Sequence, residues 1–208
     1  MIDSGRIGEL FFVESEYAHN YRNAKGYDNW RMTPERDGFI GGGCHAVDLL
    51  RWIAGNPTEA YGYTNKKVLV DWPCDDSAIA VLKFPNNVMG KVFVSTGCKR
   101  NYTMRTCIYG TKGTIICDNT SNTLSVFFEN FEGKGSLYGS SMKNIEMKIP
   151  VTINNHNIRT EVFEFCDIVL NDKEVTIKGE EGASTIAVCE AIIKSAETGV
   201  PEKIEYNF

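Results

Sequence analysis

The sequence has no apolar run long enough to span a bilayer, and its first residues lack the basic-then-apolar order of a signal peptide. It also has no phosphate-loop motif, no internal repeat and no clear domain boundary. The three histidines are far apart and have no cysteine or carboxylate at ligand spacing. We therefore expect a single domain over residues 1–208, with no membrane partner and no metal site.

Cysteine pairs are also missing. The seven cysteines include no C-x-x-C, and an odd number does not suit a disulfide framework. Most have apolar neighbours in the sequence, where a free cysteine behaves as a small buried hydrophobe. This usage predicts a reduced, cytoplasmic protein. The formal net charge of −5 argues against nucleic acid or an anionic membrane surface as a partner.

Strand patterns dominate the first two thirds of the chain. Short links such as Pro85-Asn86-Asn87 and Thr111-Lys112-Gly113 favour antiparallel hairpins. A stretch rich in Gly and Ser, Phe131–Ser141, is predicted to be a loop. The predicted strands are Gly8–Tyr17, Ala60–Val70, Ser77–Phe84, Val88–Thr96, Tyr102–Gly110, Gly113–Asp118, Thr123–Glu129 and a short final strand within Glu202–Phe208.

Three stretches place apolar residues three and four positions apart, which is the spacing of one helix face. The third, roughly Ala183–Thr198, is ended by Gly199-Val200-Pro201. The first two carry Ala46, Leu49, Leu50 and Ile53, and Val162, Phe165, Cys166 and Val169. Because strands and helices are largely segregated along the chain, we predict an α+β fold: one large, mostly antiparallel open β-sheet with helices packed on one face.

The stretch GFIGGGCHAVDLLRWIAG places Gly41, Gly43 and Ala46 at the G-x-G-x-x-[GA] spacing of a dinucleotide-binding turn. That motif needs a buried strand before it and a parallel strand about 30 residues later. Here Pro34 and four charged residues precede the turn, and hairpin strands follow it. We predict that the turn binds no cofactor and that no complete Rossmann domain is present. An independent nucleotide-binding enzyme is the disfavoured alternative.

His45 follows these glycines at the predicted start of a helix. Consecutive glycines let the backbone come close to a ligand or to another backbone. The free N–H groups at a helix N-terminus favour the neutral form of a histidine ring, which can accept a proton. His45 is therefore a candidate general base, and the alternative is a capping or packing histidine.

The segment GGGCHAVDLLRWIAG resembles G-x-H-x-x-D-x-x-R-W-[LI]-x-G in the C-terminal domain of the Gfo/Idh/MocA family, the glucose–fructose oxidoreductase and inositol dehydrogenase-like proteins. The resemblance covers nearly the whole chain. Similar segments are SGRIGELFFVESEY, CDDSA, FPNNVMGKVFVS, IYGTKGTI and EGASTIAVCEAIIKSAETGVPEKI.

The resemblance implies an α/β domain whose open sheet shapes the substrate site and mediates assembly, here as a homo-oligomer. It implies hydride transfer between a sugar or polyol carbon and NAD or NADP, which an N-terminal Rossmann domain binds. His45 matches the family histidine that handles the proton and orients the substrate. Two features depart from the pattern. The Rossmann domain and its E-K-P lysine are missing, and Gly41 stands where many members have aspartate.

The leading hypothesis is therefore the substrate-binding and oligomerisation domain of an NAD(P)-dependent sugar or polyol oxidoreductase. Such a domain would hold no cofactor by itself and would be inactive without a Rossmann domain, which a separate chain could supply. Whether the chain acts as an enzyme stays open. The alternative is a non-catalytic module that binds carbohydrate or assembles with a partner.

The segment Glu16–Arg31 is rich in aromatic, hydroxyl, amide and guanidinium groups. These groups suit a polyol, because rings stack on its C–H faces and polar groups bond its hydroxyls. The alternative is a polar loop that covers the nucleotide-binding domain. The candidate substrate-binding residues are Tyr17, His19, Asn20, Trp30 and Arg31, together with Arg105 from the basic cluster Lys99, Arg100, Tyr102 and Arg105.

The alternative interpretation of that basic cluster is the solvent-exposed end of a hairpin. Asp48 and Arg51, three apart on the first helix, are predicted to form an ion pair with each other or with a neighbouring element, in a structural rather than a catalytic role. Trp52 is predicted to lie in the core or at a domain interface. His156 precedes the second helix and is predicted to lie near its N-terminus rather than in a catalytic site.

Overall fold

The structure is a computed structural model and describes residues 1–22, 33–35, 37–128, 145–153 and 158–208. Within these ranges, nine strands form one open sheet in the order β8-β7-β6-β5-β1-β4-β3-β2-β9. The strands are β1 (Leu10–Ala18), β2 (Glu59–Asn65), β3 (Ser77–Lys83), β4 (Met89–Ser95), β5 (Thr103–Gly110), β6 (Gly113–Asp118), β7 (Thr123–Phe128), β8 (Ile145–Pro150) and β9 (Glu202–Lys203).

All neighbouring strands are antiparallel except β1 and β4, which run parallel. After β1 the chain leaves the sheet, passes through a helix and re-enters the sheet at β2. Because β2, β3 and β4 then alternate in direction, β4 runs parallel to β1. The tight β3–β4 link holds Asn86 and Asn87 at positive φ, a conformation that asparagine tolerates well. The predicted α+β fold with a mostly antiparallel open sheet is confirmed.

Two helices, α1 (Cys44–Ala54) and α3 (Gly179–Thr198), cover one face of this sheet. Their apolar sides join alternate residues of the strands in a single core. Fully buried members of this core include Val47, Leu50, Val188, Ile192, Val13, Val92 and Val94. The pattern of one buried face per strand follows from the period of two in strand geometry.

The remaining helix, α2 (Ile158–Asn171), has the predicted amphipathic spacing but buries none of its residues. Val162, Phe165 and Val169 are all more than half exposed. The helix therefore forms where the pattern predicts, while its apolar face stays uncovered in this chain. Among the described residues, no helix combines the length and the apolar character needed to cross a membrane.

Most strand ends differ from the predictions by one or two residues, and three differences are larger. β2 ends at Asn65 rather than Val70, because the Asp76 carboxylate draws the backbone N–H groups of residues 67–69 into a turn. α3 begins four residues before Ala183. β8 is missing from the prediction, although the alternation of Ile145, Met147 and Ile149 with charged residues marks it. The predicted loop Phe131–Ser141 lies outside the described residues.

Candidate functional site

The candidate site is built around the helical turn that carries His45. A π-helical turn, Phe39–Gly43, runs directly into α1, so the backbone is already helical before His45. The Asp37 carboxylate accepts the Phe39 N–H at 2.9 Å and caps this turn. The expectation that His45 lies at free N–H groups therefore needs correction: His45 is the second residue of α1, but the open end of the helix lies one turn upstream. Single π turns within helices are frequent at functional sites.

The glycines in this turn allow close packing against the sheet. A Cβ on Gly42 would lie 2.5 Å from Tyr17 Cε1, and a Cβ on Gly43 would lie 2.6 Å from Val94 Cγ2. The space next to both residues is thus filled by side chains of β1 and β4. The run of glycines permits close approach, as the sequence predicts, and the partner is the sheet.

Four aromatic rings converge where β1 ends. The rings of Tyr17 and His45 are stacked with centroids 5.7 Å apart and planes 29° apart. Tyr102 meets Tyr17 edge-on at 5.5 Å and lies 4.7 Å from His19. His45 is exposed, while Tyr17 is buried beneath it. The structure therefore brings three of the predicted site residues, Tyr17, His19 and His45, into one cluster.

Hydroxyl groups link the cluster to the π turn. Tyr17 Oη lies 3.2 Å from His19 Nδ1 and 3.0 Å from Tyr21 Oη, and the Tyr21 hydroxyl donates to the Gly41 carbonyl oxygen at 3.3 Å. Burial and the hydrogen bond with Tyr21 raise the pKa of the Tyr17 phenol far above its ordinary value. Burial also raises the pKa of Tyr102. Both phenols are therefore neutral at physiological pH.

The other predicted site residues are placed differently. Asn20 Oδ1 accepts the backbone N–H of Arg22 at 3.1 Å, which forms a local turn after β1. Trp30 and Arg31 lie outside the described residues, as does His156.

Arg105 lies on the opposite face of the sheet from His45. It pairs in register with Glu16, while Tyr17 pairs with Met104 on the helix-covered face. Arg105 lines a small cavity there with Glu14, Lys91 and Cys107. The structure therefore does not bring Arg105 to the His45 cluster, because strand alternation turns every second side chain to the other face. Tyr102, from the same basic cluster, does reach the site.

A buried arginine fixes α1 to α3. The Arg51 guanidinium donates to Asp48 at 3.4 Å, to the Glu181 carbonyl oxygen at 2.9 Å and to Asn56 at 2.9 Å. The predicted Asp48–Arg51 ion pair is thus present, and Arg51 has a structural position. Because α1 carries His45, this anchor also sets the height of His45 above the sheet.

The outward side of α1 is a stripe formed by His45, Asp48 and Trp52, which are exposed at positions i, i+3 and i+7. Trp52 is 82% exposed, so it is not a core residue of this chain. Clefts of about 470 Å³ and 550 Å³ flank its ring. One is lined mainly by apolar side chains, including Met1, Ile53 and Leu124, and the other includes Asp48 and Ile177.

Two residues of the cluster were not individual predictions. Tyr21 follows Tyr17 and His19 at every second position, and the backbone N–H groups of His19 and Tyr21 continue the pairing with residues 95 and 96 beyond β1. That alternation is the signal that would have placed Tyr21 with them. The position of Tyr102 beside Tyr17 could be predicted only from the register of β1 with β5, which the sequence of a single strand does not reveal.

The surroundings of the glycine turn differ from those of a dinucleotide-binding turn in two ways. The described residues just before the turn, 33–35 and 37–38, lie in no strand, and side chains of Tyr17 and Val94 occupy the space beside Gly42 and Gly43. Among the residues that the structure describes, no group of three His, Cys, Asp or Glu side chains is placed to hold a metal ion.

Comparison with known proteins agrees with this architecture. The sequence model of an oxidoreductase family's C-terminal alpha/beta domain, that of the Gfo/Idh/MocA proteins, matches residues 1–204. The chain belongs to this family. It is 25% identical over 166 residues to myo-inositol 2-dehydrogenase of Thermotoga maritima, covering 77% of this chain and 47% of that protein. It is 23% identical over 168 residues to the uncharacterized oxidoreductase YrbE of Bacillus subtilis, covering 78% and 47%.

Solved structures share the fold. Levoglucosan dehydrogenase in complex with NADH superposes with a TM-score of 0.78 at 16% identity, covering 98% of this chain and 61% of that one. Myo-inositol 2-dehydrogenase from Lactobacillus plantarum has a TM-score of 0.73 at 18% identity, with 98% and 59% covered. The chain spans about half the length of the curated relatives it matches.

Proposed function

We propose that this chain is the substrate-binding and oligomerisation domain of an NAD(P)-dependent oxidoreductase that acts on a sugar or polyol. The observation that supports this most is the convergence of His45, His19, Tyr17 and Tyr102 at the end of β1. Aromatic faces suit the C–H surface of a polyol, and the histidines offer hydrogen-bonding atoms for its hydroxyls. Myo-inositol, the substrate in a relative's name, is a natural first probe.

His45 is the proposed catalytic residue. Oxidation of a carbinol carbon requires that its hydroxyl lose a proton, and a histidine near physiological pH is well suited to accept it. The exposed His45 ring, seated on Tyr17, is the group in the cluster that faces outward from α1. His19 and Tyr102 are proposed to bind and orient the substrate hydroxyls.

A second domain is proposed to supply the nucleotide cofactor. A structural neighbour binds NADH, and this chain covers only 61% of it. The proposed docking surface for this second domain is the exposed stripe of α1 formed by His45, Asp48 and Trp52. Because Trp52 lies two helical turns from His45 on the same side of α1, a domain that contacts Trp52 would also lie next to His45. The uncovered apolar face of α2 supports the need for such a partner, whether it lies on the same polypeptide or on another. By itself the chain is proposed to be inactive.

Self-association is proposed to use the other face of the sheet. That face exposes apolar residues of β2, β3 and β4, among them Tyr63, Val81 and Met89. Beside them lies a charged row in which Lys91 pairs with Glu14 and Arg100 pairs with Glu16. Apolar patches bordered by charges are typical of protein–protein interfaces, and closed symmetric dimers are the commonest assemblies.

A reducing, cytoplasmic setting stays part of the proposal. All seven cysteines are free thiols in the structure. Cys189 and Cys107 are buried, and burial raises the pKa of the Cys107 thiol to about 11. Thiols of this kind are inert packing groups rather than disulfide partners.

The second candidate function is a non-catalytic carbohydrate-binding or assembly module. The close packing of Tyr17 and Val94 against Gly42 and Gly43 favours it, because this packing leaves little space for a phosphate at the glycine turn. The two functions differ in one property: only the enzyme needs His45 for turnover.

The test begins with NMR titration of the purified chain with myo-inositol, other polyols and sugars, and separately with NADH. We expect a polyol or sugar to shift the ring signals of His19 and His45, and NADH alone to leave them unchanged. If the polyol or sugar causes smaller shifts in the variants His19→Ala and Tyr102→Ala than in wild type, the result would support the proposed site. Saturable NADH binding at the glycine turn would overturn the assignment of the cofactor to another domain.

The second step compares wild type with His45→Gln in the assembled enzyme, with a nucleotide-binding domain present. The enzyme hypothesis predicts that His45→Gln loses turnover and still binds the polyol. Turnover unchanged in His45→Gln, or polyol binding with no turnover in any assembly, would favour the module.

A further inference from the structure

The hydroxyl chain beneath the candidate site has a fixed direction. The Gly41 carbonyl oxygen can only accept, so the Tyr21 hydroxyl, 3.3 Å away, donates its single proton to it. Tyr21 Oη then accepts in its 3.0 Å contact with Tyr17 Oη, and Tyr17 is the donor. Each hydroxyl carries one proton, so every link of the chain is determined by the carbonyl at its end.

The same logic reaches His19. Tyr17 Oη has already given its proton to Tyr21, so it accepts in the 3.2 Å contact with His19 Nδ1. His19 Nδ1 must therefore carry the hydrogen. In a neutral imidazole one nitrogen donates and the other accepts, so Nε2 of His19 is left as the acceptor.

The ring of Tyr17 has a separate role toward His45. The two rings are stacked at 5.7 Å, and Tyr17 is 5% exposed, held in β1 between the sheet and the π turn. The hypothetical Cβ of Gly42 at 2.5 Å from Tyr17 Cε1 shows how closely the turn rests on this ring. The buried Tyr17 ring is thus the surface on which the His45 ring packs, and it determines the position and orientation of that ring.

We propose that Tyr17 is a positioning residue rather than a substrate-binding one: its hydroxyl holds His19 in the Nδ1–H tautomer, and its ring face orients His45. The consequence is a site with two defined imidazoles. His19 has one tautomer, and His45 has one orientation toward the reacting hydroxyl. The role of His45 toward substrate depends on the proposed function, whereas the tautomer and the ring contact do not.

Among the described residues, three tyrosine rings contact the two histidines. Tyr17 lies on β1, Tyr21 follows this strand and Tyr102 precedes β5. Burial keeps Tyr17 and Tyr102 protonated, so the phenols do not change charge in the range where histidine titrates.

The experiment is long-range ¹H–¹⁵N NMR of the full chain without substrate, with the three histidines assigned from His→Gln variants. Wild type is expected to show His19 as the Nδ1–H tautomer. Tyr17→Phe keeps the ring and removes the hydroxyl, so the His19 tautomer should change while the His45 ring-current shift stays. Tyr17→Leu should alter both. His19 found as the Nε2–H tautomer in wild type, or His45 signals unmoved in Tyr17→Leu, would overturn the proposal.

A second pair of variants tests the proposal if Tyr17→Leu does not fold. Gly42→Ala pushes on the Tyr17 ring, whereas Gly43→Ala in the same turn pushes on Val94 and Phe39. Only Gly42→Ala should move the His45 ring-current shift strongly. Equal effects from the two variants would contradict the role of Tyr17. Because no substrate is present, this result is independent of whether myo-inositol or any polyol binds.

Discussion

The guanidinium of Arg51 donates a 2.6 Å hydrogen bond to Thr185 Oγ1, and the Thr185 hydroxyl donates one of 2.6 Å to Asp48 Oδ1. This relay joins the middle of α1 to α3 beneath the surface, with the Arg51 side chain only 5% exposed. It determines where α1 lies over the sheet, and thus where His45 lies relative to Tyr17.

Arg51→Ala should lower the free energy of unfolding by about 2–3 kcal/mol, because several charge-assisted hydrogen bonds are lost together. Urea denaturation followed by tryptophan fluorescence would measure this. The matched control is Arg100→Ala, an exposed arginine paired with Glu16 at 3.1 Å, which should cost less than about 1 kcal/mol. Equal losses in the two variants would contradict the anchoring role of Arg51.

Two glycines provide opposite stability changes. A Cβ on Gly62 would lie 2.8 Å from the Ile192 carbonyl oxygen, so Gly62→Ala should destabilise the chain by about 1–3 kcal/mol through the strain of overpacking. Gly182 lies in α3 with nothing within 4 Å of its Cβ position, so Gly182→Ala should stabilise by up to about 1 kcal/mol. Thermal melts of both variants test the β2–α3 contact. A neutral Gly62→Ala would show that the two backbones are further apart than described.

Asp76 should make stability depend on acid. Burial alone would raise its pKa, but hydrogen bonds from the backbone of Leu69, Val68 and Lys67 and from Ser77 outweigh this and hold the pKa below its usual value. A lowered folded-state pKa means that this stabilisation is complete above the unfolded value of about 3.9 and is lost as pH falls through the folded value.

Asp76→Asn should therefore be less stable than wild type by about 2–3 kcal/mol at pH 7, with a smaller difference at pH 3. Urea midpoints at the two pH values provide the comparison. Asp118→Asn is the control, an aspartate whose hydrogen bonds come from its own local turn. A difference for Asp76→Asn that grows toward pH 3 would reverse the assigned sign.

The proposed assembly through the open sheet face has its own test. Val81→Asp introduces a charge among exposed apolar residues and should convert a dimer to a monomer in light scattering. Leu170→Asp, on the exposed face of α2, should leave the oligomeric state unchanged. If Leu170→Asp is the variant that dissociates the assembly, the copies meet through the helices instead.

Much of the fold follows from local pattern. β6 and the start of β3 lie where alternation and turn residues predict them, and the helix of Ala46, Leu50 and Ile53 forms as its spacing predicts. Element ends were harder. β2 stops early because a carboxylate eleven positions beyond its last residue binds the following backbone, and no pattern within β2 contains that information.

The candidate site could be predicted in part. Tyr17, His19 and His45 were identifiable by residue type and by their places beside a strand end and a glycine turn. Arg105 was predicted from the composition of a cluster, and the strand register places it on the other face of the sheet from Tyr17. Trp52 has the sequence surroundings of a core residue, yet this chain leaves it exposed.

The sequence by itself determined the class of fold, the antiparallel hairpins and the family resemblance, because alternation, helical spacing and turn chemistry act over a few residues. Tertiary structure alone decided that His45 stacks on Tyr17, that Tyr21 and Tyr102 join them and that Arg105 does not. These relationships depend on the register of β1 with β5 and on the close packing of Gly42 against the Tyr17 ring. A register arises from the packing of the whole sheet, so no short segment encodes it.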